Sequence, residues 1–96
     1  MKPNADSLIS ARVRLQELLK LAVALHLEEQ YLRAWLDLCE QAEYSKLEQQ
    51  LSQRFGSADV VLLYDRASSE VDALVDMYSV NLSRFLSMMQ SFAAYQ

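Results

Sequence analysis

Apolar residues recur at alternating intervals of three and four along most of this chain. That spacing places side chains on one face of an α-helix. The first such stripe runs from Leu8 to Leu25, and Asp6 or Ser7 can cap the helix that carries it, because either side-chain oxygen can accept an unpaired backbone N–H. The spacing predicts a first helix over residues 7–26.

The middle of the chain carries apolar stripes that are out of phase with each other. One begins at Tyr31 and Trp35, and another continues from Tyr44 at a shifted phase. Because no Gly or Pro interrupts the segment, we predict one helix over residues 28–55, with two helices joined near 43–45 as the alternative. A helix that is apolar on two faces lies centrally in its fold or contacts a partner.

The longest pattern follows Gly56 and Ser57, which suit the end of one helix and the start of the next. Ten positions there keep strict three/four alternation, and only Ser68 among them is neither apolar nor aromatic. This C-terminal stripe consists of Val61, Tyr64, Ser68, Val71, Val75, Tyr78, Leu82, Phe85, Met89 and Phe92. It predicts a helix over residues 58–94, about 55 Å long, with a seam for another helix of the same chain or of a partner.

These elements predict an all-α protein with one domain over residues 1–96. Short connections favour antiparallel neighbours, so we expect an up-down antiparallel bundle of three helices, or four if the middle segment divides, with a long C-terminal helix. A single Gly and a single Pro argue against a β-sandwich, a β-barrel and a Gly-rich nucleotide loop. The stripes are wide for 96 residues, which predicts a homodimer or a hetero-complex.

Charge and cysteine content indicate the compartment of the protein and the classes of partner that it does not bind directly. The formal net charge is −4 and no basic stripe is present, which argues against direct binding of nucleic acid. The single cysteine fits a reducing cytoplasm. No apolar run approaches the roughly 20 residues that cross a bilayer, and the N-terminus lacks the apolar core of a signal peptide. We expect a cytoplasmic protein without membrane insertion.

Side chains capable of chemistry are few and scattered. His26 and Glu29 are three residues apart, but a zinc site needs three or four protein ligands and nothing completes the set. Cys39 with His26 lacks an orienting partner and an oxyanion loop. The acidic pairs fall on the outward sides of helices. We therefore predict no catalytic residue, no metal site and no cofactor.

The side chains best suited to a partner are apolar and aromatic. No charge follows Arg84, and Met is favoured at adaptable binding surfaces, while Trp and Tyr are typical interface anchors. The predicted partner-binding residues are Phe85, Met88, Met89, Phe92, Tyr31 and Trp35. The alternative for the first four, which lie within two helical turns, is that they complete the core of the last helix.

Three stretches resemble the small all-helical export chaperones of flagellar secretion, the family that binds the filament-cap protein. Leu15–Ala24 is similar to that family's first helix, Glu28–Tyr31 to the entry of its second, and Val71–Gln96, ending Ala-Ala-Tyr-Gln, to its final long helix and tail. The resemblance implies a cytoplasmic chaperone or anti-activator that hides a helix of its partner.

From these observations we expect a non-enzymatic helical module that holds an amphipathic helix of a partner protein. Two further classes remain open. One is a small regulator that acts on a DNA-binding protein, and the other is a structural subunit of a larger assembly.

Overall fold

The computed structural model describes residues 5–94, and every regular element within that range is an α-helix. The helices are α1 (Ala5–Ala24), α2 (Gln30–Glu40), α3 (Tyr44–Phe55) and α4 (Val60–Ala94). The predicted all-α class is confirmed, as is a long C-terminal helix. None of these helices combines the length and hydrophobicity that crossing a bilayer requires.

Left-handed backbone residues follow the first three helices. They are His26 with φ 59°, Ala42 with φ 55° and Gly56 with φ 67°. Glycine adopts this conformation without steric cost, whereas residues with a Cβ do so at a penalty. Gly56 therefore marks the end of α3 in the sequence, whereas His26 and Ala42 give no such signal for the ends of α1 and α2.

The prediction of one helix over residues 28–55 is wrong, and the alternative of two helices is the one observed. The Glu43 N–H donates to the Leu38 carbonyl at 2.9 Å, and the Ala42 N–H donates to the Cys39 carbonyl at 3.1 Å. This is the Schellman pattern, which ends a helix by pairing its last carbonyls. The phase shift between the apolar stripes was the sequence signal of this joint.

The start of α4 also differs from expectation. The Asp59 carboxylate accepts the Leu62 N–H at 3.2 Å, so Asp59 and not Ser57 caps the helix. The Ser57 hydroxyl accepts the Asp59 N–H at 3.1 Å, in the connection that precedes the helix. At the other end of the chain, Asp6 lies in the first turn of α1 and does not precede the helix.

Replacing Ala42 by glycine is expected to stabilise the protein by about 0.5–1 kcal/mol, because glycine relieves the left-handed penalty. Ala42 is exposed, so little packing is lost. Urea unfolding should show a higher midpoint at unchanged slope. Gly56→Ala is the matched control: its added Cβ would meet nothing within 4 Å, so it should destabilise through the backbone alone. A lower midpoint for Ala42→Gly would contradict the assigned backbone.

One hydrophobic core joins the four helices. Helix α1 packs along α4 and on α2, and α3 packs on α2 and α4. The buried apolar residues are Ala11, Leu15, Leu19, Ala22, Leu32, Trp35, Leu36, Cys39, Leu47, Leu51, Leu63, Tyr64, Ala67 and Val71. Helix α4 thus contributes to the core only through its first half.

The second half of α4 projects beyond the other helices. Arg12 lies beside Tyr64, and Leu27 lines a groove with Tyr78, so α1 and α4 run in the same direction and the helical body ends near Tyr78. Every residue of 79–94 is exposed. The molecule consequently measures 61 × 25 × 23 Å. Helix α4 therefore extends past the other three helices, while the antiparallel order of the remaining helices stays a prediction.

Candidate protein-binding surface

Large apolar side chains cover the projecting half of α4. Each is between 43% and 62% exposed. We call this group the distal surface, and its members are Met77, Val80, Leu82, Phe85, Leu86, Met88, Met89 and Phe92. All four C-terminal residues that the sequence predicted as partner-binding belong to it. The alternative that they complete the core within the chain is wrong, because no other helix in the described range covers them.

Four members of the distal surface, Leu82, Phe85, Met89 and Phe92, continue a face that is buried earlier in the same helix. Tyr64 and Val71, members of the C-terminal stripe, are fully buried. Tyr78 is half-buried, and the stripe members that follow it are exposed, reaching 62% at Phe92. Because the three/four spacing keeps these positions on one face, a single seam is covered by its own chain over one half and uncovered over the other.

The projecting segment lacks the features that stabilise a solitary helix in water. Residues 79–94 carry one charged side chain, Arg84, so no pair of opposite charges can form along the helix. Half of these sixteen residues are Ser, Asn, Val or Phe, which are weak helix formers. An isolated helix of this length is marginal in water even with good formers. The segment therefore gains little stabilisation from its own side chains.

A shallow groove lies where the body meets the projecting segment. It joins the α1–α2 connection to the middle of α4, and its lining residues are Leu27, Glu28, Glu29, Leu74, Met77, Tyr78 and Asn81. Met77 belongs to both the groove and the distal surface, so the apolar face continues onto the body. Two carboxylates lie at that end and give it negative charge.

Tyr31 and Trp35 belong to a different part of the molecule. Trp35 is 2% exposed and lies in the core, so its predicted contact with a partner is not available to the folded chain. Tyr31 is half-buried, with its ring centroid 4.6 Å from that of Trp35. The Arg54 guanidinium lies 4.2 Å from the Tyr31 centroid and donates two hydrogen bonds to Glu70, at 2.9 and 3.0 Å. These residues tie α2, α3 and α4 together.

A second polar cluster, which the sequence analysis did not identify, joins α1, α3 and α4. Arg12 donates to Glu48 at 2.9 Å and to the Tyr64 hydroxyl at 3.3 Å, and that hydroxyl donates to Glu48 at 2.7 Å. The Arg12 guanidinium also lies 4.1 Å from the Tyr44 centroid. Burial, reinforced by the bond to Glu48, raises the pKa of Tyr64, so it stays a phenol and a donor. The closed triangle holds the body together.

The two side chains weighed for chemistry, Cys39 and His26, lie in different environments. Burial raises the pKa of the Cys39 thiol to about 11, so the thiol is neutral near pH 7 and is a poor nucleophile. Cys39 is 3% exposed and lies in the core. His26 is exposed on the connection between α1 and α2. Within residues 5–94, no three His, Cys, Asp or Glu side chains gather in a group that could hold a metal ion.

Comparison with known proteins identifies no relative. No protein-family model matches the chain, and no curated protein or solved structure matches it significantly. The resemblance to flagellar export chaperones therefore stays a prediction, and the geometry of the distal surface is the basis for inferring what this protein does.

Proposed function

We propose that this protein is a non-enzymatic, cytoplasmic binding module that holds an amphipathic helix of a partner protein against its distal surface, as a chaperone or anti-activator does. The observation that supports this proposal is the C-terminal stripe. It is buried or half-buried within the chain as far as Tyr78 and exposed beyond it. Contiguous exposed apolar surface on a folded domain is typical of an interaction site.

The shape and chemistry of the surface favour a particular kind of partner helix. A helix laid along residues 79–94 would make about four turns of contact, with apolar side chains at intervals of three and four. Met77, Met88 and Met89 are flexible and adapt to different side chains. The partner's end nearest the groove would meet Glu28 and Glu29, which favours a lysine or arginine there.

Affinity capture from the source cells, followed by mass spectrometry, tests this function. The bait variants are the wild type, Phe85→Asp combined with Met89→Asp, and Ser87→Asp as the control. Ser87 lies on the opposite face of α4, half a helical turn from the stripe. We expect the paired variant to lose the partner, because two buried carboxylates would lack counter-charges, and the control to retain it.

The captured partner should contain an amphipathic helix, and a photo-crosslinker at position 85 should join that helix while one at position 87 should not. The identity of the partner also separates the three classes that the sequence left open: a secretion substrate, a transcription factor or an assembly component. Capture that is equally strong with the paired variant would refute the proposed site.

A further inference from the structure

We propose that, when no partner helix is bound, a second copy of this chain covers the distal surface, with the two α4 helices packed antiparallel about a twofold axis at the level of Ser87. This inference rests on the proposed function for the identity of the surface and adds its occupant in the free protein. Four features support it: the area of the surface, the spacing of its residues, the position of the body and the charge of the projecting segment.

The area reaches that of a specific interface. Six side chains of the distal surface lie on the side of α4 that carries the stripe, each about half exposed: Leu82, Phe85, Leu86, Met88, Met89 and Phe92. With about 200 Å² for a large side chain, they present roughly 600 Å² per chain. Two copies would bury about 1,200 Å² together, which is the lower end of the range for specific protein–protein interfaces. Val80, on the side of Ser87, and Met77, beside the body, stay outside the contact.

The spacing of the exposed stripe members is the same in both directions. Leu82, Phe85, Met89 and Phe92 are separated by three, four and three residues. An antiparallel copy therefore matches this pattern in register, with Leu82 opposite Phe92 and Phe85 opposite Met89 of the second copy. The twofold repeats each contact, which gives a self-complementary interface.

The position of the body excludes the parallel arrangement. Helices α1 and α3 pack on α4 where the stripe is buried, so the body lies on the stripe's side of α4, and two parallel copies would bring both bodies into the same space. An antiparallel pair places the bodies at opposite ends of the joined helices. The sixteen exposed residues of each copy, about 24 Å of helix, then lie along the sixteen of the other.

Charge favours the same arrangement. Arg84 is the only charged residue in the projecting segment. In the antiparallel register it lies opposite Gln90 of the second copy, whereas parallel helices would place the two Arg84 side chains at the same level. Neither projecting segment contains an acidic residue to offset such a contact, so the antiparallel register avoids a repulsion that the parallel one creates.

In the free protein, the binding surface is therefore covered by the second copy. A partner helix must displace the second copy, so its apparent affinity falls as the concentration of the free protein rises. The exposed Met and Phe side chains are covered until a partner competes for them, which limits non-specific association.

Complementary charge substitutions test the register. Leu82→Lys and Phe92→Glu should each weaken self-association about a hundredfold or more, because the twofold introduces each change at two contacts. In an equimolar mixture, the introduced lysine of one chain lies opposite the introduced glutamate of the other, and the second contact keeps its native Leu and Phe. The mixture should therefore regain the dimer. Ser87→Lys is the matched control and should self-associate like the wild type.

The measurement is sedimentation equilibrium of the full chain at micromolar concentration. The wild type should approach twice the 11.0 kDa mass of one chain, and the mixture should do so where neither variant does. A monomeric wild type would overturn the inference, and a mixture that stays monomeric would overturn the antiparallel register. A monomeric wild type whose partner capture still requires Phe85 and Met89 would leave the proposed function standing. A wild-type dimer whose partner capture is unchanged by the Phe85 and Met89 substitutions would refute the proposed function and leave this inference standing.

Discussion

Replacing Leu47 and Leu51 together by alanine is expected to unfold the protein. Both side chains are fully buried on α3, and each Leu→Ala change in a core costs about 2–5 kcal/mol. The sum is comparable to the entire stability of a typical domain, about 5–15 kcal/mol. Far-UV circular dichroism should show a large loss of helix at 25 °C, and native helix content in this variant would contradict the assigned core.

The matched control for the Leu47 and Leu51 variant is Met89→Ala with Phe92→Ala, which removes apolar side chains from exposed positions. The body should unfold at nearly the wild-type temperature, because neither side chain contacts it. Trp35 is the only tryptophan and is buried in the body, so its fluorescence reports on the body alone. Sub-micromolar protein keeps self-association from contributing. Much earlier melting of this variant would mean that the distal surface is core after all.

The second large effect is expected at the triangle of Arg12, Glu48 and Tyr64. Arg12→Ala should cost about 2–3 kcal/mol, because it removes a charge-assisted hydrogen bond to Glu48 and the contact with the Tyr44 ring. It also leaves the Glu48 carboxylate, 22% exposed, without its cation. Urea unfolding monitored by fluorescence measures the loss.

A control variant and a double-mutant cycle identify the cause of the stability lost in Arg12→Ala. Arg66→Ala, an exposed arginine on α4, should change stability by less than about 0.5 kcal/mol. A double-mutant cycle between Arg12 and Glu48 should give a coupling energy of about 1.5–3 kcal/mol. Additive single effects would show that the ion pair contributes little and that Arg12 acts only through its packing.

The bounds of helix α4 could be predicted from the periodicity of its apolar residues. Its stripe predicted residues 58–94, and the structure has Val60–Ala94. The four C-terminal binding residues followed from their residue types and from the lack of charge after Arg84. Those features do not distinguish a core position from an exposed one, and only the structure shows that these side chains are exposed.

The joint between α2 and α3 shows where local rules fail. Alanine is the best helix former, yet Ala42 is the residue that leaves the helix. Packing is the reason: Trp35 and Leu36 on α2 and Leu47 on α3 all lie in one core, which the joint brings close together, whereas a straight helix over residues 28–55 would be about 42 Å long. The gain from burying them exceeds the cost of a left-handed alanine.

By itself, the sequence determined the helical class, the extent of α4 and its long apolar face, because side-chain periodicity records which face avoids water. Only the tertiary structure decided which part of that face the chain itself covers, because coverage depends on where the other helices pack. Residue type did not distinguish the core position of Trp35 from an interface. Arg12 gave no local signal, because its partners Glu48 and Tyr64 lie 36 and 52 positions away along the chain. Such contacts depend on how helices pack, which a pattern along one chain does not record.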